Sequence, residues 1–179
     1  MKFCKHCANK MDFVIPSDDN LHRDVCHSCG YIDYENPKNI VGVLASINGE
    51  ILLCKRNIEP RKNYWTVPAG FMENNESLVE GAKREAYEEV GIKDYDPSLF
   101  MIYSVPHISQ VHIYFYTKLK NKITQMGPEI NDIDFFSYKN IPWDEIAFKS
   151  ISVLIKKFFD IGEENAKDKI FNLTFPDER

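Results

Sequence analysis

The 179-residue chain reads as α+β, a mixed sheet packed between helices and preceded by a small cysteine ribbon. Three observations predict this. Two Cys-x-x-Cys pairs lie near the N-terminus, two strand-like runs flank Asn48-Gly49, and Ser77 to Val90 carries both a start and a stop signal for a helix. Hydrophobic residues at 44% are enough for a buried core. Net charge is -5, so the overall field repels nucleic acid and anionic membranes, and neither is expected as a partner. The longest apolar stretch, Ile40 to Ile47, is far short of the ~20 residues a membrane helix needs. MKFCKHC has no apolar signal-peptide core, which makes the cytoplasm the expected location.

The first element, residues 1–35, is predicted to be a zinc ribbon. Cys4 and Cys7 form one pair, Cys26 and Cys29 the other, with 18 residues between them, enough for a hairpin that returns the second pair to the first. Four thiolates close a tetrahedral shell, so the Zn²⁺ expected here is structural. A disulfide pair or a redox dithiol is the alternative, weakened by the missing signal peptide. His6 and His27 are read as solvated residues inside the knuckles, and Cys54 as a small core residue. So few residues bury little surface, and the metal must supply most of the module's folding energy.

The main domain is expected over residues 36–162, joined to the ribbon through Tyr34 to Lys38. Ile40 to Ile47 and Glu50 to Lys55 form a hairpin about Asn48-Gly49; Tyr64 to Val67, Tyr103 to Val105 and Val111 to Leu119 are further strands. Ser77 and Glu80 make a capping box and Gly91 fits the C′ position of the central helix. A second helix is predicted from Trp143 to about Phe159, opened by Pro142. Residues 163–179 are taken as a peripheral tail.

Glu85, Glu88 and Glu89 stand at i, i+3 and i+4 of the central helix and form one acidic stripe. Leu78, Val79, Ala82, Ala86 and Val90 occupy the neighbouring arc, which is expected to be buried. Like charges at this spacing, close to the helix C-terminus, destabilise the helix by ~0.3–1 kcal/mol each. Folding alone does not select them. Mg²⁺ or Mn²⁺ takes several carboxylate oxygens and fills its remaining positions with water and substrate phosphate, and the stripe supplies such a site. A solvated acidic face neutralised by Lys83 and Arg84 is the plain alternative.

From Gly70 to Ile92 the sequence GFMENNESLVEGAKREAYEEVGI resembles the Nudix box, G-x(5)-E-x(7)-REUxEExGU, with Ala86 standing where the pattern prefers a bulkier aliphatic. The resemblance implies a Nudix-type sheet between helices and hydrolysis of a nucleoside diphosphate linked to another group. It implies Glu85, Glu88 and Glu89 as Mg²⁺ or Mn²⁺ ligands, Arg84 as the residue that orients them, and Glu76 as the helix-entry glutamate. Arg56 and Glu73 are the substrate-binding candidates. Glu129, opening a loop after Gly127-Pro128, is the candidate general base, although Asp132 stands where a second Glu is expected. His107 and Gln110 flank a turn that could face the substrate, with a structural role equally open.

Ribbon and box together, followed by PHISQVHIYFYTKL and IPWDEIAF, resemble ribbon-bearing Nudix hydrolases of bacteria and plastids that cleave ADP-ribose or FAD to release AMP. Pro106, fifteen residues after Gly91, stands about where ADP-ribose pyrophosphatases carry a marker proline. The alternatives are an NADH pyrophosphatase, whose SQPWPFPxS signature is missing here, or a non-catalytic nucleotide-binding module, which the intact box disfavours. A small nucleotide is the expected partner. A homodimer is left open.

Overall fold

A computed structural model describes residues 1–176, and the chain divides into two compact units, Met1–Pro37 and a second that begins at Lys38. In the first unit, β1 (Asp12–Val14), β2 (Arg23–Val25) and β3 (Ile32–Asp33) form an antiparallel sheet in that order. The two cysteine knuckles repeat one backbone pattern. Ala8 N–H donates to Cys4 O and Gly30 N–H to Cys26 O, both at 2.8 Å, and each turn is closed by a left-handed residue, Ala8 at φ 59° and Gly30 at φ 75°. Cys4, Met11 and Cys26 are its buried apolar residues, with Tyr31 packed against them.

The second unit opens with β4 (Lys38–Ile47) and β5 (Glu50–Arg56), joined through Asn48 (φ 54°) and Gly49 (φ 79°), the two positive φ values a tight hairpin turn needs. Short strands β6 (Trp65–Thr66) and β7 (Ala69–Phe71) lead into α1 (Leu78–Val90). Ser77 Oγ accepts from Glu80 N–H at 3.3 Å, the Glu80 carboxylate accepts from Ser77 N–H at 2.8 Å, and Gly91 ends the helix at φ 72°. There follow β8 (Ser98–Val105), β9 (Gln110–Lys118), β10 (Ile130–Phe136), α2 (Lys149–Ile161) and β11 (Phe171–Thr174). The sheet runs β10-β5-β4-β9-β8-β11, parallel at β4/β9 and β8/β11 and antiparallel elsewhere.

Strand alternation assigns the two faces. Val41, Val43, Leu52, Cys54, Ile113 and Phe115 pack with Ala82, Ala86 and Val90 of α1. Leu44, Ile51, Leu53, Tyr114 and Tyr116 pack with Ile151, Leu154, Ile155 and Phe158 of α2. The β4/β9 register is unbroken over nine pairs, whereas β8 bulges between Leu99 and Met101, so the adjacent Phe100 and Met101 both join the α2 side.

Three expectations need correction. The second helix starts at Lys149: Trp143–Glu145 is a single 3-10 turn, and Ala147 N–H donates to Trp65 O at 2.8 Å, a strand-like tie that holds residues 146–147 out of the helix. Leu78 and Val79 are exposed, because the side of α1 facing the sheet is Gly81, Ala82, Ala86, Glu89 and Val90. Residues 171–174, within the expected peripheral tail, add β11 to the sheet beside Met101–Ser104, with Phe171 and Leu173 packed on the core. β7 and β10 are further strands that the sequence reading leaves as loop.

Candidate active site and metal centre

In the first unit the four Sγ atoms of Cys4, Cys7, Cys26 and Cys29 all lie within 4.8 Å of one another. The Cys4–Cys29 and Cys7–Cys26 separations are 3.6 and 3.5 Å. A disulfide needs about 2.05 Å, whereas thiolates at about 2.3 Å from a tetrahedral metal stand roughly 3.8 Å apart. The donors therefore fit a metal. Backbone and side-chain hydrogen bonds from Asn9 lower the Cys7 thiol to about 6, whereas Cys29, despite the Tyr31 N–H, is raised by desolvation and by the other three thiols, a repulsion that a bound cation would relieve.

The carboxylates occupy a different setting. β4 and β5 pair only beside their hairpin, at Ser46/Ile51 and Ile47/Glu50; beyond it β6 pairs with β5 and β7 with β4. The sheet parts there, and a cavity of about 810 Å³ reaches into it. Glu85, Glu88 and Glu89 of α1 line it, as do Arg84, Glu73, Arg56 and Glu129. Ile40, Phe71, Tyr114, Phe148 and Ile151 supply an apolar wall, with Ile108 and Gln110 beside them. Among the sequence candidates, Gln110 reaches the cavity and His107 does not; its ring packs 5.0 Å from that of Phe175. Pro106 opens the 3-10 turn between β8 and β9 and is not a lining residue.

Arg84 organises the acids. Its guanidinium donates to Glu76 at 2.8 and 3.0 Å, Glu85 at 2.6 Å, Glu88 at 3.2 Å and the Phe71 carbonyl at 3.1 Å. Arg84 first, and then Glu73 N–H, hold the Glu76 carboxyl down at about 2. Gly70 lies so close to the Glu85 carboxylate that a Cβ there would collide with it.

Glu89 is the exception. It is 7% exposed, accepts Ala69 N–H at 3.0 Å, and among the described residues has no ion-pair partner. Burial pushes it up to about 8, helped by the charges of Glu85 and Glu129. Burial also raises Glu85, against the pull of Arg84, with Glu88 and Glu129 adding to the rise. A buried carboxylate without a counter-ion, bordered by further carboxylates, calls for a cation, so the residues fit a divalent metal. Among the described residues, the cysteine cluster is the group whose ligand atoms already converge; Arg84 spreads the α1 carboxylates around itself.

Glu129 is placed by its loop. Gly127 N–H donates to Glu89 O at 2.8 Å, Asn57 N–H to Glu129 O at 2.7 Å and Asn57 Nδ2 to Pro128 O at 3.2 Å. A Cβ on Gly127 would strike the Glu88 carbonyl, so only glycine allows this approach. Arg56 donates from Nε to Pro60 O at 2.8 Å and lies over the Phe148 ring. No short-range signal in the sequence marks the apolar wall: Ile151 reads as part of an ordinary helix face, Phe148 falls within the expected second helix without a distinguishing pattern, and Ala69–Phe71 is too short to read as a strand.

The domain family described as NUDIX domain matches residues 36–155, and the one described as Nudix N-terminal, a zinc ribbon, matches residues 2–35. The crystal structure of a NUDIX hydrolase from Nitrosomonas europaea superposes with a TM-score of 0.87 at 39% identity, covering 98% of this chain and 100% of that one. The NAD-capped RNA hydrolase NudC of Haemophilus influenzae is 31% identical over 164 residues, 87% of this chain but 60% of its own length. The ADP-ribose pyrophosphatase of Methanocaldococcus jannaschii is 30% identical over 121 residues, 64% of this chain and 69% of its length. The chain thus spans only part of the length of these curated relatives. No helix among the described residues is long and apolar enough to cross a membrane.

Proposed function

The chain belongs to the Nudix hydrolase family, and on that premise we propose that it hydrolyses the diphosphate linkage of an ADP-X compound, ADP-ribose or FAD, releasing AMP. The observation that carries this is the composition of one cavity: buried, unpaired carboxylate chemistry around Glu89 together with an apolar wall of Phe71, Tyr114 and Phe148. A linked nucleotide has both halves, a polyanionic diphosphate and planar rings. The volume of about 810 Å³ accommodates a ligand of that size.

Glu85, Glu88 and Glu89 would hold Mg²⁺ or Mn²⁺, and Cys4, Cys7, Cys26 and Cys29 a structural Zn²⁺. When bound, the divalent ion neutralises phosphate charge and acidifies water. The chain's own residues do the rest. Arg84 keeps the Glu85 and Glu88 side chains from drifting into solvent, and Arg56 offers a fixed cation to a phosphate. Water adds to one phosphorus as the bridging P–O bond breaks, and the Glu129 carboxylate takes the proton of that water. The pinned loop keeps Glu129 at a constant distance from α1, as such a transfer needs. The site lies in the second unit, with residues 1–35 as a separate ribbon and 36–162 as the hydrolase domain.

A second reading has specific support. The Haemophilus relative, an NAD-capped RNA hydrolase, is matched by 87% of this chain against 64% for the archaeal ADP-ribose pyrophosphatase, which favours NAD(H) as substrate, although the SQPWPFPxS signature is missing here. Product analysis separates the two. kcat/KM is measured with Mg²⁺ and with Mn²⁺ for ADP-ribose, FAD, NADH, NAD and dATP. AMP from ADP-ribose or FAD at the highest efficiency supports the proposal; NADH first supports the second reading; dATP first, with no AMP from any linked compound, overturns both.

A further inference from the structure

Gln110, His112 and Tyr114 occupy successive positions on the α2 side of β9, opposite the apolar row of Val111, Ile113 and Phe115. Three polar side chains there are costly unless satisfied, and they satisfy one another. His112 Nδ1 lies 3.0 Å from Ser150 Oγ and 3.3 Å from Tyr114 OH, those two hydroxyls lie 3.2 Å apart, and His112 Nε2 lies 3.0 Å from Gln110 Oε1. Both hydroxyls can donate, whereas Oε1 can only accept. Burial lowers His112 to about 4, so the ring is neutral at pH 7 and carries one N–H. The order that satisfies both hydroxyl protons and both ring nitrogens has Tyr114 OH donating to Ser150 Oγ, Ser150 to Nδ1, and Nε2–H to Gln110 Oε1.

That order uses up the acceptor of Gln110 and leaves its NH2 group, which has no protein partner among the described residues, on a side chain that lines the cavity. The geometry points to Gln110 as a specificity-determining residue that donates a hydrogen bond to a ring-nitrogen or carbonyl acceptor of the nucleobase, with His112 and Ser150 as the positioning residues that fix its amide. This deepens the hydrolase reading and rests on it for taking the ligand to be a nucleotide. The apolar wall holds any flat ring, and Gln110 adds a polarity requirement to it.

The test is binding of AMP and of ribose 5-phosphate, which differ only in the base, to the full chain with Mg²⁺ by calorimetry, alongside wild-type turnover of ADP-ribose. Wild type is expected to favour AMP. Gln110→Leu should weaken AMP by about fivefold to tenfold, the worth of one hydrogen bond, while leaving ribose 5-phosphate within about twofold. Gln110→Glu should weaken AMP further, because it sets an acceptor against an acceptor. His112→Leu should reproduce the Gln110→Leu loss and His112→Gln, which retains an N–H, should restore affinity. If the His112 variants do not fold, the Gln110 pair decides. Equal weakening of both ligands, no AMP preference in wild type, or Gln110→Glu binding AMP as well as wild type overturns the assignment. A wild type that binds AMP through Gln110 but cleaves no linked diphosphate overturns the hydrolase reading alone.

Discussion

Four thiols in the first unit and three carboxylates on α1 in the second each bring like-charged groups together, yet they relate to their surroundings in opposite ways. Cys4 and Cys26 are themselves two of the three buried apolar residues of their unit, so the ligands and the core are the same atoms. The acids on α1 sit beside a core of more than thirty residues that folds around two faces of a sheet, and Arg84 already neutralises part of their charge. A cluster that is the core makes metal a condition of folding; a cluster hosted by a core makes metal a condition of chemistry.

The largest effect expected from this contrast is at the ribbon. Cys26→Ala, or removal of zinc with a chelator, should abolish amide protection over residues 1–37 and leave the unfolding transition of the second unit in place, since structural zinc supplies on the order of 10 kcal/mol in small modules. Hydrogen exchange read by mass spectrometry checks it, and persistent protection of residues 23–33 after stripping would break the contrast. Next, Glu89→Gln and Glu88→Gln should each lower kcat/KM for ADP-ribose by about a hundredfold or more. The thermal midpoint of Glu89→Gln should hold or rise, because it removes a buried acid that has no counter-ion, whereas Glu88→Gln gives up an exposed contact to Arg84 and should leave the midpoint within about a degree or two of wild type. Near-native turnover in either would mean that the stripe is not the metal site. Gly127→Ala should cost about tenfold or more in kcat by pushing the Glu129 loop off the Glu88 carbonyl; a crystal structure showing the loop unmoved with activity lost would reassign the effect.

The most gradual effect is in acid. His112 is held well below its ordinary value, to about 4, so the folded state keeps the ring neutral while the unfolded chain takes a proton near pH 6.5. Its contribution is therefore complete above pH 6.5 and declines as pH falls from 6.5 to 4, by no more than about 3 kcal/mol. Denaturant titrations of the second unit at pH 7, 5.5 and 4.5 should show that decline, and His112→Gln should flatten it. An unchanged slope in the variant would place the acid sensitivity elsewhere.

Local chemistry was legible in the sequence wherever it is written within a few residues. The Cys spacing, the Asn48-Gly49 turn, the capping box at Ser77 and the acidic stripe all have short-range signatures, and the structure contains each of them. What escaped depends on distant partners. Ile146 leaves the helical pattern because it meets Trp65, eighty-one positions earlier; Glu89 is buried because Ala69 and the sheet close over it; β11 exists because Met101 to Ser104 offer an edge. The cavity wall is of the same kind, since Phe148 and Tyr114 become neighbours of the acids only after β4 and β5 part.

The unbroken register of β9 against β4 sets a rule of parity for any redesign of this domain. β8 has already taken up one odd residue in its bulge, and the loops at either end can take up more, but β9 has no such slack. Inserting a single residue ahead of His112 within the strand would exchange its two rows, turning Gln110's companions toward α1 and Ile113 and Phe115 toward α2. Insertions of two residues would keep the rows and shift only their phase along the cavity. The reader of the base and the wall behind α1 are two sides of one nine-residue count.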